Sequence, residues 1–336
     1  MKTYSSFPKK KNKWEIVLLD FLNSFGMVII TLVLVVVFLK YNQQFLSLEN
    51  LKNICEQNAA LSIVSIGITF LIISGNMDLS PGGVLALTSI VIASVFKFTG
   101  SIALAIFVGL FTSTLIGVFN GLIITKLDIN VVIVTLSAMI WSKGLALAIS
   151  DAKSILVMND LVSFINKWSI GGISIPILVI IVAYIMGYIL LKKTKLGRYA
   201  YAMGGGEMQT KQAGINIVKY KTLLFTLSGI CVGLASTISV FRLGSANPIM
   251  GNGLELDAIV AVVIGGNRLS GGEGSFSKTI KGVVFLAVLG NGLNNIGVTD
   301  DVYYLIKGII ILLALTLEVT TASVKKRYPK SLKAQS

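Results

Sequence analysis

The chain of 336 residues contains no histidine, only two cysteines and five prolines, and just 13% of its residues are charged. Each shortage removes a class of function. Without histidine, the side chain most used as a general base and zinc ligand near neutral pH is missing. Cys55 and Cys231 stand far apart and form no metal or redox spacing, and nothing in that spacing supports a disulfide. Soluble domains of this size carry roughly a quarter charged residues, well above the value here. What fills the chain instead is apolar: 54% of residues, with a mean hydropathy of +0.83. The composition therefore describes an integral membrane protein rather than the pair of globular domains that length alone would suggest.

Acids are scarce too, 15 Asp+Glu against 29 Lys+Arg, for a net charge of +14. In a soluble protein such an excess points to nucleic acid. Here the cations cluster beside apolar runs without interleaved aromatics, which excludes a nucleic-acid partner and marks cytoplasmic flanks instead. Residues 1–14 hold Lys2, Lys9, Lys10, Lys11 and Lys13; residues 192–221 hold seven cations against Glu207; the tail from Lys325 holds no acid. This divides the chain into a basic N-terminal segment (1–14), a membrane domain (15–324) with an internal basic loop (192–221), and a basic tail (325–336).

A crossing helix needs about 20 mostly apolar residues. The clearest spans are Phe21–Leu39, Ile102–Thr125, Ile175–Leu191, Thr222–Phe241 and Tyr303–Thr320. Less regular ones are Gln57–Ser74, Val84–Phe96, Val131–Ala148, the short Leu256–Gly265, which suits half a helix, and Thr279–Ile296. The expected fold is all-α: a polytopic membrane helix bundle of about ten transmembrane helices with interrupted segments. Placing the N-terminus inside, six crossings return the basic 192–221 loop to the cytoplasm, eight bring back Arg268, Lys278 and Lys281, and ten leave the tail inside. The cations thus concentrate inside, as the positive-inside rule requires, while Glu49, Glu56, Asp151, Asp160, Glu255, Asp257, Asp300 and Asp301 fall outside. The long first span lacks a small-residue cleavage site after it and reads as an anchor.

Two glycine-rich polar stretches lie at membrane depth. They are Ile73–Gly83 (ISGNMDLSPGG) and the run SANPIMGNGLELDAIVAVVIGGNRLSGGEGS between Phe241 and Thr279. Irregular backbone survives there only where protein buries it or it lines a wet cavity. Locally the two look alike, ISGN–LS–GG against IGGNRLSGG, as interrupted segments in two halves of a transporter would; two ordinary glycine-rich turns are the alternative. Ala105, Gly109, Ser113, Gly117 and Gly121 recur every four residues, and Gly229, Gly233 and Thr237 repeat the pattern. Such stripes serve packing within the chain or a subunit interface.

Catalytic signals are absent. The nearest approach to a phosphate-binding loop, Gly272–Thr279 (GEGSFSKT), has Ser277 where the second glycine belongs and no strand–helix context. Among acids near spans, Asp78 stands out. It is placed to cap a helix starting near Ser80, with Pro81 at an early helical position, or to serve a pathway. A proton-coupled carrier would need a buried carboxylate, and Asp78 and Asp257 compete for that role. Asp20 and Glu318 sit at the inner ends of spans, where water reaches them.

At this point the sequence resembles a known family. ISGNMDLSPGGVLALTSIV, VFNGLIIT with VVIVTLSAMIWSKGLAL, TKLGRYAYAMGGG…AGINI, SANPIMGNGLELDAIVAVVIGGNRLSGGEGS and LGNGLNNIGV occur in the order found in membrane permease subunits of ribose-type ABC importers. The resemblance covers roughly residues 20–320. Nucleoside and branched-chain amino-acid permeases share much of the pattern. The resemblance implies a permease that is not itself an enzyme, has no cofactor of its own, and sits in the bacterial cytoplasmic membrane with both termini inside. Its partners would be a cytoplasmic ABC ATPase that binds the ATP, an external solute-binding protein, and a second permease copy or paralogue.

The resemblance also assigns residues. ATPase coupling maps onto Gly197, Arg198, Gly204, Gly205, Glu207 and Gly214. Physically, Gly204–Gly205–Gly206 breaks the chain before a helix of roughly two turns that Gly214 ends. Gly206, Glu207, Met208, Gln209 and Thr210 depart from the family's usual asparagine, two acids and two alanines, so this contact surface is altered. Polar residues near span ends, Asn76, Asp78, Ser80, Asn120, Asn247, Asn291 and Asn294, are the pathway candidates; helix-end hydrogen bonding is their other reading. An ion-coupled secondary carrier is the competing class. A membrane enzyme is excluded by the lack of any nucleophile–base pair or metal cluster.

Overall fold

The computed structural model describes residues 13–159, 162, 168–299, 302, 303, 305–310, 312 and 316, with side chains from residue 26 onward. The basic N-terminal cluster, the tail from Lys325 and most of Tyr303–Thr320 lie outside these residues. The described chain is helical: α1 (Lys13–Tyr41), α2 (Leu48–Gln57), α3 (Ala59–Ile73), α4 (Pro81–Thr99), α5 (Ile102–Lys126) and α6 (Val131–Ser150). There follow α7 (Ile175–Lys193), α8 (Lys195–Gly205), α9 (Glu207–Gln212), α10 (Ile217–Leu243), α11 (Leu254–Ile264) and α12 (Phe276–Asn295).

Six of these, α4, α5, α6, α7, α10 and α12, are long and apolar enough to cross a membrane. A seventh crossing is made if α2 and α3, bent by 50° at Asn58, form one broken span. The expected Gln57–Ser74 span corresponds to α3; the bend lies at its leading edge, where Asn58 caps α2, its Nδ2 donating to Ile54 O at 2.9 Å. At about 1.5 Å per residue, the 11 residues of α11 cover only about half a bilayer, so the expected half-helix is what forms.

Local chemistry sets the helix starts. Ser47, Ser101, Asn130, Asn216 and Ser275 each accept a hydrogen bond from an early helical N–H. α3 is the centre: of Ala59–Ile73, every residue but Ala60 is buried. α10 packs along α3 and α5, and α4 between α5, α6 and α10. The small-residue stripes prove to be seams inside this chain. A Cβ at Gly117 would strike Phe225 O, and one at Gly121 would come 2.7 Å from the Thr222 Cα. Gly229 and Gly233 return the fit against Ser113. α7, by contrast, turns Ile181, Val182, Ile185 and Ile189 outward.

The loops sort into two ends, as an alternating topology demands. At one end Gly75, Gly204 and Gly271 meet; a Cβ at Gly271 would lie 2.8 Å from the Gly75 Cα and 2.9 Å from the Gly204 Cα. At the other, β1 (Ile155–Leu156) pairs antiparallel with β4 (Ser245–Ala246), and Asn50 reaches Asn291. A small hairpin, β2 (Ser169–Ile170) with β3 (Ile173–Ser174), turns on Gly171 and Gly172 at φ 58° and 82°.

Candidate functional site

The first half of the site is a buried network at the break between α3 and α4. α3 ends in a left-handed glycine turn: Gly75 N–H donates to Ile72 O and Asn76 N–H to Leu71 O. The chain then delivers Asp78, 3% exposed, into the interior. Its Oδ1 accepts from the Ser80 N–H at 2.9 Å and the Ser80 hydroxyl at 2.6 Å, and its Oδ2 accepts from the Ser228 hydroxyl of α10 at 3.0 Å. Asn120 of α5 donates from Nδ2 to Ser80 Oγ at 3.3 Å. The capping expectation holds with one change. Ser80 occupies the N-cap position of α4 but makes no cap bond with its own side chain; Asp78, two residues earlier, satisfies the Ser80 N–H, and Pro81 follows at the start of the helix. Removing one partner from such a network strands the others in a dry interior.

The remaining pathway candidates do not join this network. Asn76 folds back on its own turn, donating to Ser74 O and Ser74 Oγ. Asn247 forms a local turn by accepting from the Ile249 N–H. Asn291 lies at the opposite end, accepting from Asn50 and Asn295, and Asn294 is exposed. Of the two acids weighed for proton coupling, Asp78 has three donors and Asp257 is ion-paired with Lys307. Glu255, in the first turn of α11, is 7% exposed and packs over Gly82 at the start of α4.

The second half is the segment 192–221. It is not a loop with one short helix but two helices. α8 is an 11-residue helix unanticipated in the sequence, packed on α7 so closely that a Cβ at Gly197 would overlap Leu191 O. α9 matches expectation at its end, a left-handed turn at Gly214, φ 81°, and runs Glu207–Gln212; at its start only Gly206 breaks the chain, since Gly204 and Gly205 belong to α8. Gly214 N–H donates to Lys211 O, and Ile215 N–H to Thr210 O. Arg198, Gly205, Glu207, Met208, Gln209 and Lys211 are exposed. α9 is tied to α10 by Glu207 and the buried Lys221 at 2.9 Å. Lys221 counted in the sequence only as one more cytoplasmic cation; no local pattern marks it as buried.

The two halves touch through backbone. Gly204 wedges between Ile73 O and the Gly272 N–H, which themselves bond at 2.9 Å, so no Cβ fits there. Tyr201 of α8 donates its hydroxyl to Gly274 O at 2.7 Å, and burial pushes that hydroxyl's pKa above its ordinary value, keeping it a donor. The segment bearing α9 is thereby in contact with both interrupted stretches. Ser228 and Tyr201 escaped sequence reasoning: the first stands beside Gly229 within an apolar span, the second in a basic stretch. Among the described residues no group of His, Cys, Asp or Glu is placed to hold a metal.

The family described as "Branched-chain amino acid transport system / permease component" matches residues 50–315. The chain is 34% identical over 291 residues to the ribose import permease protein RbsC of Escherichia coli K12, covering 85% of this chain and 91% of that one. It is 36% identical over 288 residues to the protein of the same name from Bacillus subtilis 168, covering 85% and 89%. It is 31% identical over 296 residues to the L-arabinose transport system permease protein AraH of E. coli K12, covering 88% and 90%. No solved structure matches the chain.

Proposed function

The chain belongs to the branched-chain amino acid transport system / permease component family, and from that membership we propose that it is the membrane-spanning subunit of an ATP-driven importer for a monosaccharide, ribose or a similar pentose. The external solute-binding protein delivers the sugar. A cytoplasmic ATPase docks on the exposed surface of α8 and α9, and a second permease completes the assembly. The chain crosses the bacterial cytoplasmic membrane ten times with both termini inside. In that frame the end where Gly75, Gly204 and Gly271 meet is cytoplasmic.

The observation that carries the reading is the backbone contact between the α8–α9 segment and both helix breaks. A permease with no nucleotide site of its own must receive work by contact, as a differential stabilisation of one membrane conformation over another. A push on α9 reaches α8, and Gly204 passes it to Ile73 and Gly272 without a flexible side chain intervening. Asp78 and its partners lie a few residues beyond Ile73.

The test is reconstitution in liposomes with and without the partner ATPase and binding protein, with ribose uptake as readout. Uptake that requires ATP and both partners is expected. Full uptake by the chain alone, or driven by an ion gradient, would overturn the assignment. Reporter tags after Lys330 and within residues 151–167 are expected inside and outside respectively.

A further inference from the structure

Where α5 and α6 splay from their connecting turn, a groove of about 210 Å³ opens. Phe119, Ile133 and Trp141 form its walls, 55%, 61% and 38% exposed, with Ser137 on the rim. Asn120, 2% exposed, forms its floor and is the same Asn120 that donates to Ser80 beside Asp78. The groove is thus continuous with the buried network, and nothing in the family assignment speaks to it. We infer that it is a monosaccharide subsite on the translocation path, with Trp141 and Phe119 carrying the C–H face of the sugar and Asn120 and Ser137 receiving its hydroxyls. The inference rests on the permease reading and names where in the chain the sugar is held.

The hydrogen-bond directions support an acceptor at the floor. The Ser80 hydroxyl donates to Asp78, so it can only accept from Asn120, which fixes the amide with its NH₂ toward Ser80. The Asn120 carbonyl is then left to accept from a ligand hydroxyl. Asp78 acts through this chain as a positioning residue: its charge orients Ser80, and Ser80 orients Asn120. The lining is mostly apolar, with Ile123, Ile129, Ile133 and Val134 beside Phe119 and Trp141; what sets it apart from the outward Ile181, Val182, Ile185 and Ile189 of α7 is an amide at its floor and a hydroxyl on its rim. Polar groups facing hydrocarbon are costly; a few convergent polar groups in an aromatic cleft are how small-molecule sites fix orientation.

Size and depth agree. Pockets for drug-sized ligands run to roughly 300–1,000 Å³, so this smaller groove suits a single sugar ring. Ser137 and Trp141 lie roughly 9–15 Å into α6 at 1.5 Å per residue, approaching the middle of a bilayer core about 30 Å thick. That is the depth at which transporters with interrupted helices hold substrate.

The experiment uses the full chain, with its ATPase and binding protein, in liposomes. Ribose uptake by the unaltered assembly is measured first; absence of any ATP-dependent uptake would remove the permease reading itself. In an active assembly carrying Cys55→Ser and Cys231→Ala, Ser137→Cys is then exposed to a charged, membrane-impermeant methanethiosulfonate. Reaction during ATP turnover is expected, with uptake reduced severalfold and the labelling slowed by ribose. Trp141→Phe is expected to keep most uptake, and Trp141→Leu to lose about fivefold, the scale of one lost aromatic contact. If Ser137→Cys reacts only with a lipid-soluble maleimide, the position faces lipid; if it cross-links to a second copy, the position faces a subunit. Either result, or unchanged uptake by Trp141→Leu in a folded assembly, overturns the subsite while leaving the permease reading intact.

Discussion

The two helix breaks start with the same turn and finish with different chemistry. At the end of α3, Gly75 takes φ 76° and the N–H groups of Gly75 and Asn76 bond back to Ile72 and Leu71. At the end of α11, Gly266 takes φ 102° and the N–H groups of Gly266 and Asn267 bond back to Val263 and Val262. The likeness between ISGN and IGGN is therefore the signature of one helix stop. α9 and α12 end the same way, so the shared turn is a common chemical solution and not by itself the mark of a duplicated unit.

After the turn the two breaks diverge. The second closes on itself: Asn267 accepts from the Ser275 N–H, donates to Val262 O, and donates to Thr279, which also bonds Thr69. The first sends a carboxylate outward to other helices, where α4, α5 and α10 share it through Ser80, Asn120 and Ser228. One break is a splice and the other a hub. An amide with both donor and acceptor can finish a local helix end; a carboxylate, which only accepts, must recruit donors from elsewhere.

The sharpest way to break this comparison is at the point where the two breaks touch. Gly204→Val forces a side chain into Ile73 O and the Gly272 N–H, and is expected to cost more than about 3 kcal/mol, since the backbone on either side cannot yield. Thermal unfolding in detergent and uptake per milligram both report it. Gly205, one residue on, has open space around it, and Gly205→Ala is expected to stay within about 1 kcal/mol of the parent. Equal damage from both would mean that glycine serves the helix end there, not the contact.

Next in size is the contrast of hub and splice. Asp78→Ala leaves the Ser80 N–H and two hydroxyls without their acceptor, for roughly 2–4 kcal/mol and loss of uptake. Asp78→Asn keeps the Oδ1 bonds and gives up the one from Ser228, costing about 1 kcal/mol. Asn267→Ala should cost about 1–2 kcal/mol yet leave uptake per folded transporter near normal, because its partners are local. If the Asn267 variant silences folded protein while the Asp78 variant does not, the roles are reversed.

The most local effect lies outside both breaks. Gly214→Val puts a β-branched residue at φ 81°, a strain of about 1–2 kcal/mol confined to the end of α9. Insertion should hardly change, and the unfolding temperature should fall by only a few degrees. ATP hydrolysis by the partner should lose most of its stimulation by the loaded binding protein. A normal stimulation would remove α9 from the coupling route.

Much of this organisation was legible because membrane helices are written in long apolar runs. The six long spans appear where hydropathy places them, and the short α11 appears as half a helix. Glycines flanking polar residues located both breaks and the end of α9, because a left-handed turn leaves few alternatives to glycine. Helix α8 escaped notice since Lys195–Gly205 is neither long nor strongly apolar, and its helicity comes from lying against α7 through Gly197.

The sequence by itself determined that the chain lives in a membrane, where its helices stop, and that Asp78 stands at a helix start. Each follows from interactions within a few residues or from the solvent a side chain requires. Only the tertiary structure decided which polar groups share a site. Asp78 with Ser228, Glu207 with Lys221, and Gly204 with Ile73 and Gly272 are brought together by the packing of separate helices. Periodicity along one helix carries no information about which face of another will meet it.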